Sequence, residues 1–539
     1  MFLLAFIFFL RGCGESSQNV TRPNIVMVMS DAFDGRLSFE PGSKVVRLPY
    51  INYLRELGSV FLNTYTNSPI CCPSRAAMWS GQYVHLSQSW NNYKCLDANS
   101  TTWMDLLERN GYRTKMLGKL DYTSGIIASR LGLEMSSSFF ARKADLLPNL
   151  LATCQPEELW KKTGRTQIKL LSGSAKQLPF QKNLLLFISA STCLIPIELN
   201  LWVLQLEDPL SVSSELVSVP KWLPIAAMHP VDYYSTFTKN CSSNFTEEEI
   251  KNIRTFYYAM CAEADAMLGQ VISALREKGL LANTVLIFTA DHGELAMEHR
   301  QFYKMSMFEG SSRVPLLLMG PGLKSGLQVH QLVSLVDLYP TVLGRKGEKP
   351  VLSFGNSRCT SSAFELFACF TEIAGISAVG NLSGHSVLPL ISTSRNVSKN
   401  EHPEWVLSEY HGCNANASTY MLRVGHWKYI AYADGISVPP QLFNVTVDKD
   451  ELHNVVLRFP DVQAQLDKLL RSIVDYPKVS LAVHLYNKNQ FAAWRDSLGR
   501  NYTEVIANLR WHMDWQKDIL ANEKAVDTWL HGSSRTFFN

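Results

Sequence analysis

The chain has 539 residues, 46% of them hydrophobic and 18% charged, with a formal net charge of +3. That length supports a large core and two or three domains. The small net charge excludes a strongly basic nucleic-acid-binding or membrane-seeking surface.

Met1 to Leu10 is an apolar run too short to span a bilayer, followed by Gly12, Cys13 and Gly14. Residues 1–18 therefore read as a secretory signal peptide, without the usual basic start. No later run predicts a membrane span; residues 183–204 come nearest, but Pro196, Glu198 and Asn200 interrupt them. Asn-x-Ser/Thr sequons stand at Asn19, Asn99, Asn240, Asn244, Asn381, Asn396, Asn416, Asn444 and Asn501. So many, spread along the chain, argue for a glycosylated lumenal protein. Some of the 11 cysteines should then pair, in an order the sequence does not fix.

Residues 24–29 (Asn-Ile-Val-Met-Val-Met) read as a buried parallel strand ending at Ser30-Asp31. Ligand sites in open α/β sheets lie at such strand ends. Residues 49–57 predict a helix with Pro49 at its start and Gly58 behind it. Cys71-Cys72-Pro73-Ser74-Arg75 predicts a turn that opens a helix, with Pro73 in the first turn. Cys71 then stands at a helix N-terminus, where free N–H groups favour negative charge. That suits a nucleophile or an anion-holding group, although Cys-Cys alone also fits a disulfide half or two buried thiols. Residues 102–110 predict another helix, stopped by Gly111, and 112–117 a strand ending at Gly118-Lys119.

Over 123–217 the chain becomes rich in Leu and Ser, weakly periodic and free of histidine. Thr246-Glu-Glu-Glu249 is a capping box for a helix with Ile250, Ile253, Tyr257, Met260, Ala264, Leu268, Val271 and Leu275 on one face and Gly279 at its end. Residues 283–290 predict a strand running into Asp291-His292-Gly293-Glu294, and 314–319 another. A helix starts at Asp337-Leu-Tyr-Pro-Thr341 and meets a polar stretch, 344–369. After about 401 the pattern turns antiparallel (420–424, 427–432, 441–443), and a mostly helical tail follows, packed down by Trp511, Trp515 and Trp529.

Asp31 and Asp291 thus close two strands of one sheet. Two carboxylates at one sheet edge favour a hard divalent cation, calcium before magnesium. His292 is not a typical calcium ligand, but zinc needs more His and Cys than stand here.

Taken in order, Asn-Ile-Val-x-x-x-Ser-Asp31, Cys71-Cys-Pro-Ser-Arg75, Gly118-Lys119, Thr289-Ala-Asp291-His-Gly293, Lys304 and Asp337-Leu-Tyr-Pro-Thr341 resemble the sulfatase family. Arg423-Val-Gly-His-Trp427-Lys-Tyr and Asp450-Glu451…Asn454 resemble its small second domain. Residues 294–304 and Met228-His229-Pro-Val-Asp-Tyr-Tyr narrow the resemblance to lysosomal enzymes acting on glucuronate 2-O-sulfate.

The resemblance implies an α/β, alkaline-phosphatase-like sandwich: a large mixed, mainly parallel sheet between helices, with a smaller C-terminal domain on an antiparallel sheet. Residues 19–400 would form the catalytic domain and 401–539 the C-terminal one. It implies hydrolysis of sulfate esters on glycosaminoglycan fragments, in a lysosome reached by the secretory route, with part of the protein secreted. It also implies that a formylglycine-generating enzyme oxidises Cys71 to formylglycine. The hydrated aldehyde has one hydroxyl to attack sulfur and a second to expel sulfate. By the same resemblance, Asp31, Asp291, His292 and residue 71 hold one calcium ion, and Arg75 supports the aldehyde and the metal. Lys119 and Lys304 hold sulfate oxygens, and His229 is a substrate histidine acting at the leaving group.

The chain departs from the family pattern in two places. Ala32 stands where many sulfatases carry a second acidic ligand, and no histidine occurs between His85 and His229. The family has one shortly after the position of Lys119, where it helps release sulfate; here Ile126-Ile127 follow. We read 123–217 as out-of-frame or mis-spliced sequence and 344–369 as retained intron, and expect slow turnover from the chain as written. Two other readings stay open: a catalytically impaired secreted glycoprotein that keeps the fold, and a phosphodiesterase or phosphatase of the related fold, which would use Thr or Ser and two zinc ions.

Overall fold

The computed structural model describes residues 22–117 except 93 and 98, residue 119, and 212–343 except 239, 240 and 243. It also describes 373–374, 376, 381–392, 402–412, 417–507 and 518–531, with short strands at 2–5, 8–9, 184–185 and 187–191. Most of 123–217, all of 344–369, Trp511, Trp515, the side chain of Trp529, and Asn19, Asn240, Asn396 and Asn416 lie outside the described residues.

The main strands of the large sheet are β1 (Asn24–Asp31), β2 (Ser59–Tyr65), β3 (Phe187–Ser191), β4 (Thr284–Ala290), β5 (Leu316–Met319) and β6 (Leu327–Ser334). β1 and β4 are buried along their whole length, as their unbroken apolar runs require. They pair in parallel from Asn24↔Thr284 to Ser30↔Ala290, so Asp31 and Asp291 emerge side by side. β3 joins β1 in parallel on its other side and is itself flanked by Phe2–Ala5 and Met116–Leu117. β5 runs antiparallel to both β4 and β2, and β6 runs parallel to β2. Among the described strands of this sheet, four pairings are parallel and four antiparallel, and the longest ladders are parallel.

Three helices fix the surroundings: α1 (Pro49–Leu57), α2 (Cys71–Ser80) and α3 (Glu247–Glu277). The Thr246–Glu249 capping box opens α3 as expected. Helix α1 packs on α3, and a Cβ at Gly269 would come 2.2 Å from the Tyr50 ring, so the contact needs glycine. Asp265 of α3 caps α1, accepting hydrogen bonds from Tyr50 N (3.1 Å) and Ile51 N (2.6 Å).

Burial outweighs those two bonds and pushes the Asp265 carboxyl up to about 7. An unfolded Asp titrates near ~3.9. The folded state therefore holds this proton more tightly, and stability falls as pH rises from about 4 to about 7. Asp265→Asn is expected to flatten that fall. Thermal unfolding across this window checks it; an unchanged slope would exclude Asp265 as the source.

The C-terminal sheet is an antiparallel meander of β7 (Trp405–Tyr410), β8 (Thr419–Val424), β9 (Trp427–Tyr432) and β10 (Gln441–Asn444). Leu466 and Leu470 of helix α4 (Pro460–Ile473) cluster with Leu422, Tyr429 and Leu442. Met421, Ile430 and Phe443 cluster instead with Tyr65, Ile70 and Phe308, which ties this sheet to the large one. Among the described residues no helix is long and apolar enough to cross a membrane.

The strand expected at 112–117 is reduced to Met116–Leu117. Gly111 turns with φ +83°, and Tyr112 N donates back to Leu107 O, so the chain is still leaving the preceding helix there. β6 was not expected. Its register shifts between Val329 and Leu332, and such a bulge breaks the two-residue alternation by which strands are read.

Candidate active site

The ends of β1 and β4 bring Asp31 and Asp291 together, both fully buried. Asp291 Oδ1 accepts hydrogen bonds from Ala32 N (3.3 Å) and His292 N (3.0 Å). The Thr66 and Ser74 hydroxyls donate to its carbonyl. Gly293 is required by a close approach, because a Cβ there would lie 2.0 Å from Gly310 O.

Cys71 is the first residue of α2 and 2% exposed. Cys72 is bonded to Cys95, which leaves Cys71 as the free thiol of the pair. Its Sγ lies 3.0 Å from Lys119 Nζ, 3.3 Å from His292 Nε2 and 4.0 Å from Asp31 Oδ2. Burial and Asp31 push this thiol up, but Lys119, Lys304 and His292 outweigh them and bring it down to about 7.

One helical turn further on, Arg75 is completely buried. Its Nε donates to Asp291 Oδ2 (2.7 Å), its Nη2 to Asp31 Oδ2 (3.2 Å) and its Nη1 to the Lys119 carbonyl. Lys119 Nζ donates to the Asp31 carboxylate, and Lys304 Nζ lies 3.9 Å from Asp31 Oδ1. Burial opposes the charge of Asp31, yet Lys119, Lys304, His292 and Arg75 together hold its carboxyl well below the usual range.

His292 Nδ1 lies 3.0 Å from the Gly293 carbonyl. A carbonyl only accepts, so Nδ1 carries the proton and Nε2 faces the cluster. That Nε2 is 3.6 Å from Asp291 Oδ1 and 3.8 Å from Asp31 Oδ1. One ligand atom each from Asp31, Cys71, Asp291 and His292 falls within 4.8 Å of all the others, and such a group is able to hold a metal ion.

Seven of the eight expected chemical residues therefore converge: Asp31, Cys71, Arg75, Lys119, Asp291, His292 and Lys304. The described contacts of His229 lie elsewhere. Its Nε2 is 2.8 Å from Pro439 O, Val231 N donates to its Nδ1 (3.3 Å), and its ring stacks on Tyr432 with centroids 4.8 Å apart. It lines a cavity of about 470 Å³ with His299, Arg300, Gln441, His453 and Arg458. The sequence reading missed Thr66, which follows β2 and carries no local signal. Ser74 lay inside the expected motif, but nothing there foretold its bond to the Asp291 carbonyl.

The sulfatase family model matches residues 23–124 and 222–347. The matched blocks break off near the borders of the stretches at 123–217 and 344–369. Arylsulfatase K of Danio rerio is 55% identical over 532 residues, with 95% of each chain covered. The chain belongs to the sulfatase family. Arylsulfatase K of Homo sapiens is 50% identical, covering 96% of this chain and 95% of its own. A phosphonate monoester hydrolase from Silicibacter pomeroyi superposes with a TM-score of 0.62 at 18% identity, covering 85% of this chain and 96% of its own. A 2-O GAG sulfatase superposes with a TM-score of 0.58 at 20% identity, covering 85% and 93%. At these identities the two structures speak for fold alone, and the fold is the alkaline-phosphatase-like sandwich. The enzyme is a sulfatase, and its Cys71 cluster lies at the C-terminal ends of β1 and β4, the end at which open α/β sheets bind ligands.

Proposed function

We propose that this sulfatase removes sulfate from glycosaminoglycan fragments, at the 2-O position of glucuronate, with one calcium ion and a formylglycine made from Cys71. The observation that carries the reading is the pair of ammonium groups, Lys119 and Lys304, gathered on Asp31 beside residue 71 at a helix N-terminus. Three cations (Arg75, Lys119, Lys304) stand against two carboxylates, which leaves a field that draws in an anionic ester.

The donor set fits the ion. Asp31 and Asp291 are buried, convergent carboxylates of the kind calcium prefers. Conversion of the residue 71 sulfur to oxygen moves the set further from zinc. Asp31, Asp291, His292 and residue 71 would hold the ion, which when bound eases ionisation of a hydroxyl and draws charge from the sulfuryl oxygens. Formylglycine supplies that hydroxyl in place of the thiol.

The chain's own groups do the rest. Lys119 and Lys304 grip the sulfate oxygens and favour the ionised form of residue 71. Arg75 fixes both carboxylates and the Lys119 backbone. His229 and its cavity receive the sugar, and burial, outweighing its bond to Pro439, lowers the pKa of that imidazole. Residues 1–18 act as a signal peptide, so the strand Phe2–Ala5 beside β3 belongs to the chain before cleavage. The sequons, of which Asn99, Asn244, Asn381 and Asn501 are exposed, carry glycans on the way to the lysosome. The formylglycine-generating enzyme acts on that route.

The test is sulfate release from a glucuronate-2-sulfate disaccharide and from a small aryl sulfate, before and after chelation. Chelation is expected to remove the activity and calcium to restore it. No release from either ester, together with an unmodified Cys71 peptide mass, would overturn the reading in favour of the non-catalytic glycoprotein.

A further inference from the structure

Lys304 reaches the site from a loop whose backbone is held in an unfavourable form. Met297, His299, Arg300, Tyr303 and Met305 all have φ between 52° and 77°, a region costly for residues with a Cβ. Such a loop keeps its form only where its surroundings impose it. On the catalytic side, Met305 N donates to Pro69 O (3.0 Å), just before the Cys71 helix. Trp222 Nε1 donates to Met297 O (2.6 Å), and Arg254 Nη1 pairs with Glu298 (2.9 Å).

The other grip comes from the C-terminal sheet. Lys428 of β9 is completely buried, and its ammonium donates to the Met307 carbonyl (2.8 Å). The same ammonium lies 2.7 Å from Glu309 Oε1 and 2.7 Å from Glu451 Oε1. Tyr65 OH donates to Glu309 (2.9 Å), and Glu309 N donates to Glu451 (2.6 Å). A neutral residue at 428 would release the Met307 carbonyl and leave the buried Glu451 carboxylate facing Glu309, which keeps its ion pair with Arg313 (3.1 Å). Repulsion between the two glutamates would push the 305–309 segment away from its place.

We propose that Lys428 is a positioning residue: from the C-terminal domain it sets the loop that delivers Lys304 to the sulfate. The proposal rests on the reading of Lys304 as a sulfate ligand. The test is a double-mutant cycle of Lys304→Ala and Lys428→Met, measured as kcat and KM on an aryl sulfate and as inhibition by free sulfate. A residue that acts by misplacing a catalytic group costs about 10- to 100-fold. Each single variant is expected to lose that much, and the double variant no more than Lys304→Ala alone.

Losses that multiply would overturn the proposal, because Lys428 would then act independently of Lys304. Lys428→Arg keeps the charge and carries the same cycle if Lys428→Met does not fold; failure of both to fold would assign Lys428 to stability alone and reject the role. A wild-type chain that releases no sulfate would instead remove the sulfatase reading itself.

Discussion

Replacing Cys71 with alanine is expected to abolish sulfate release, by on the order of 10⁴-fold or more, while the protein stays folded. On the proposed mechanism the chemistry rests on that one side-chain atom, which Lys119, His292 and Asp31 all face. Alanine is smaller and a strong helix former, so α2 should persist and the melting temperature should move little. Cys71→Ser is the sharper variant. It keeps a hydroxyl at the same place, but a serine ester has no second hydroxyl to expel sulfate. A single stoichiometric transfer is expected, visible as a sulfated peptide across residue 71. An alanine variant within tenfold of the parent would show that residue 71 is not the nucleophile.

Arg75→Met is expected to do the greatest harm to stability. The guanidinium is wholly buried and bridges Asp31, Asp291 and the Lys119 carbonyl. Removing one partner of a buried ion pair costs about 3–5 kcal/mol, because the remaining charge has no water to turn to. Lys119 and Lys304 still neutralise Asp31, so the uncompensated charge falls mainly on Asp291. Arg75→Lys should not rescue, since an ammonium cannot reproduce the fork that spans two carboxylates. Added calcium should recover part of the loss if the two carboxylates hold it. Denaturant unfolding measures both effects; a variant within about 1 kcal/mol of the parent would mean that Arg75 is not what holds the site together.

What the sequence revealed follows from which features leave a local trace. β1 and β4 were legible because strands buried on both faces read as unbroken apolar runs. Their polar ends then pointed to Asp31 and Asp291. Pro73 marked the start of α2 and so the place of Cys71. The direction of β5 was not legible, since a buried strand looks the same run either way. Lys119 and Lys304 came from the family resemblance alone, because a single lysine after a strand has no periodic signature. That resemblance also assigned His229 to the substrate, and its described contacts are with Pro439, Val231 and Tyr432. Cys72 could be matched to Cys95 only once the chain had brought them together. Lys428, Glu309 and Glu451 were missed for the opposite reason: charged residues are ordinarily at the surface, and nothing local marks these as buried.

If residue 71 is oxidised as proposed, its enclosure sets an order of events in the life of each molecule. In the finished fold its side chain is walled in by Lys119, His292 and Asp31, and no catalyst the size of a protein reaches it. An enzyme that oxidises this thiol must therefore find the segment while it is still extended, before α2 docks. On that reading a molecule that folds first would keep its thiol and stay inactive, however much of the oxidising enzyme it met later. The fraction of working enzyme would then be decided once, at synthesis, by a race between oxidation and folding. Variants that merely speed the docking of α2 would lower that fraction without touching a single catalytic group.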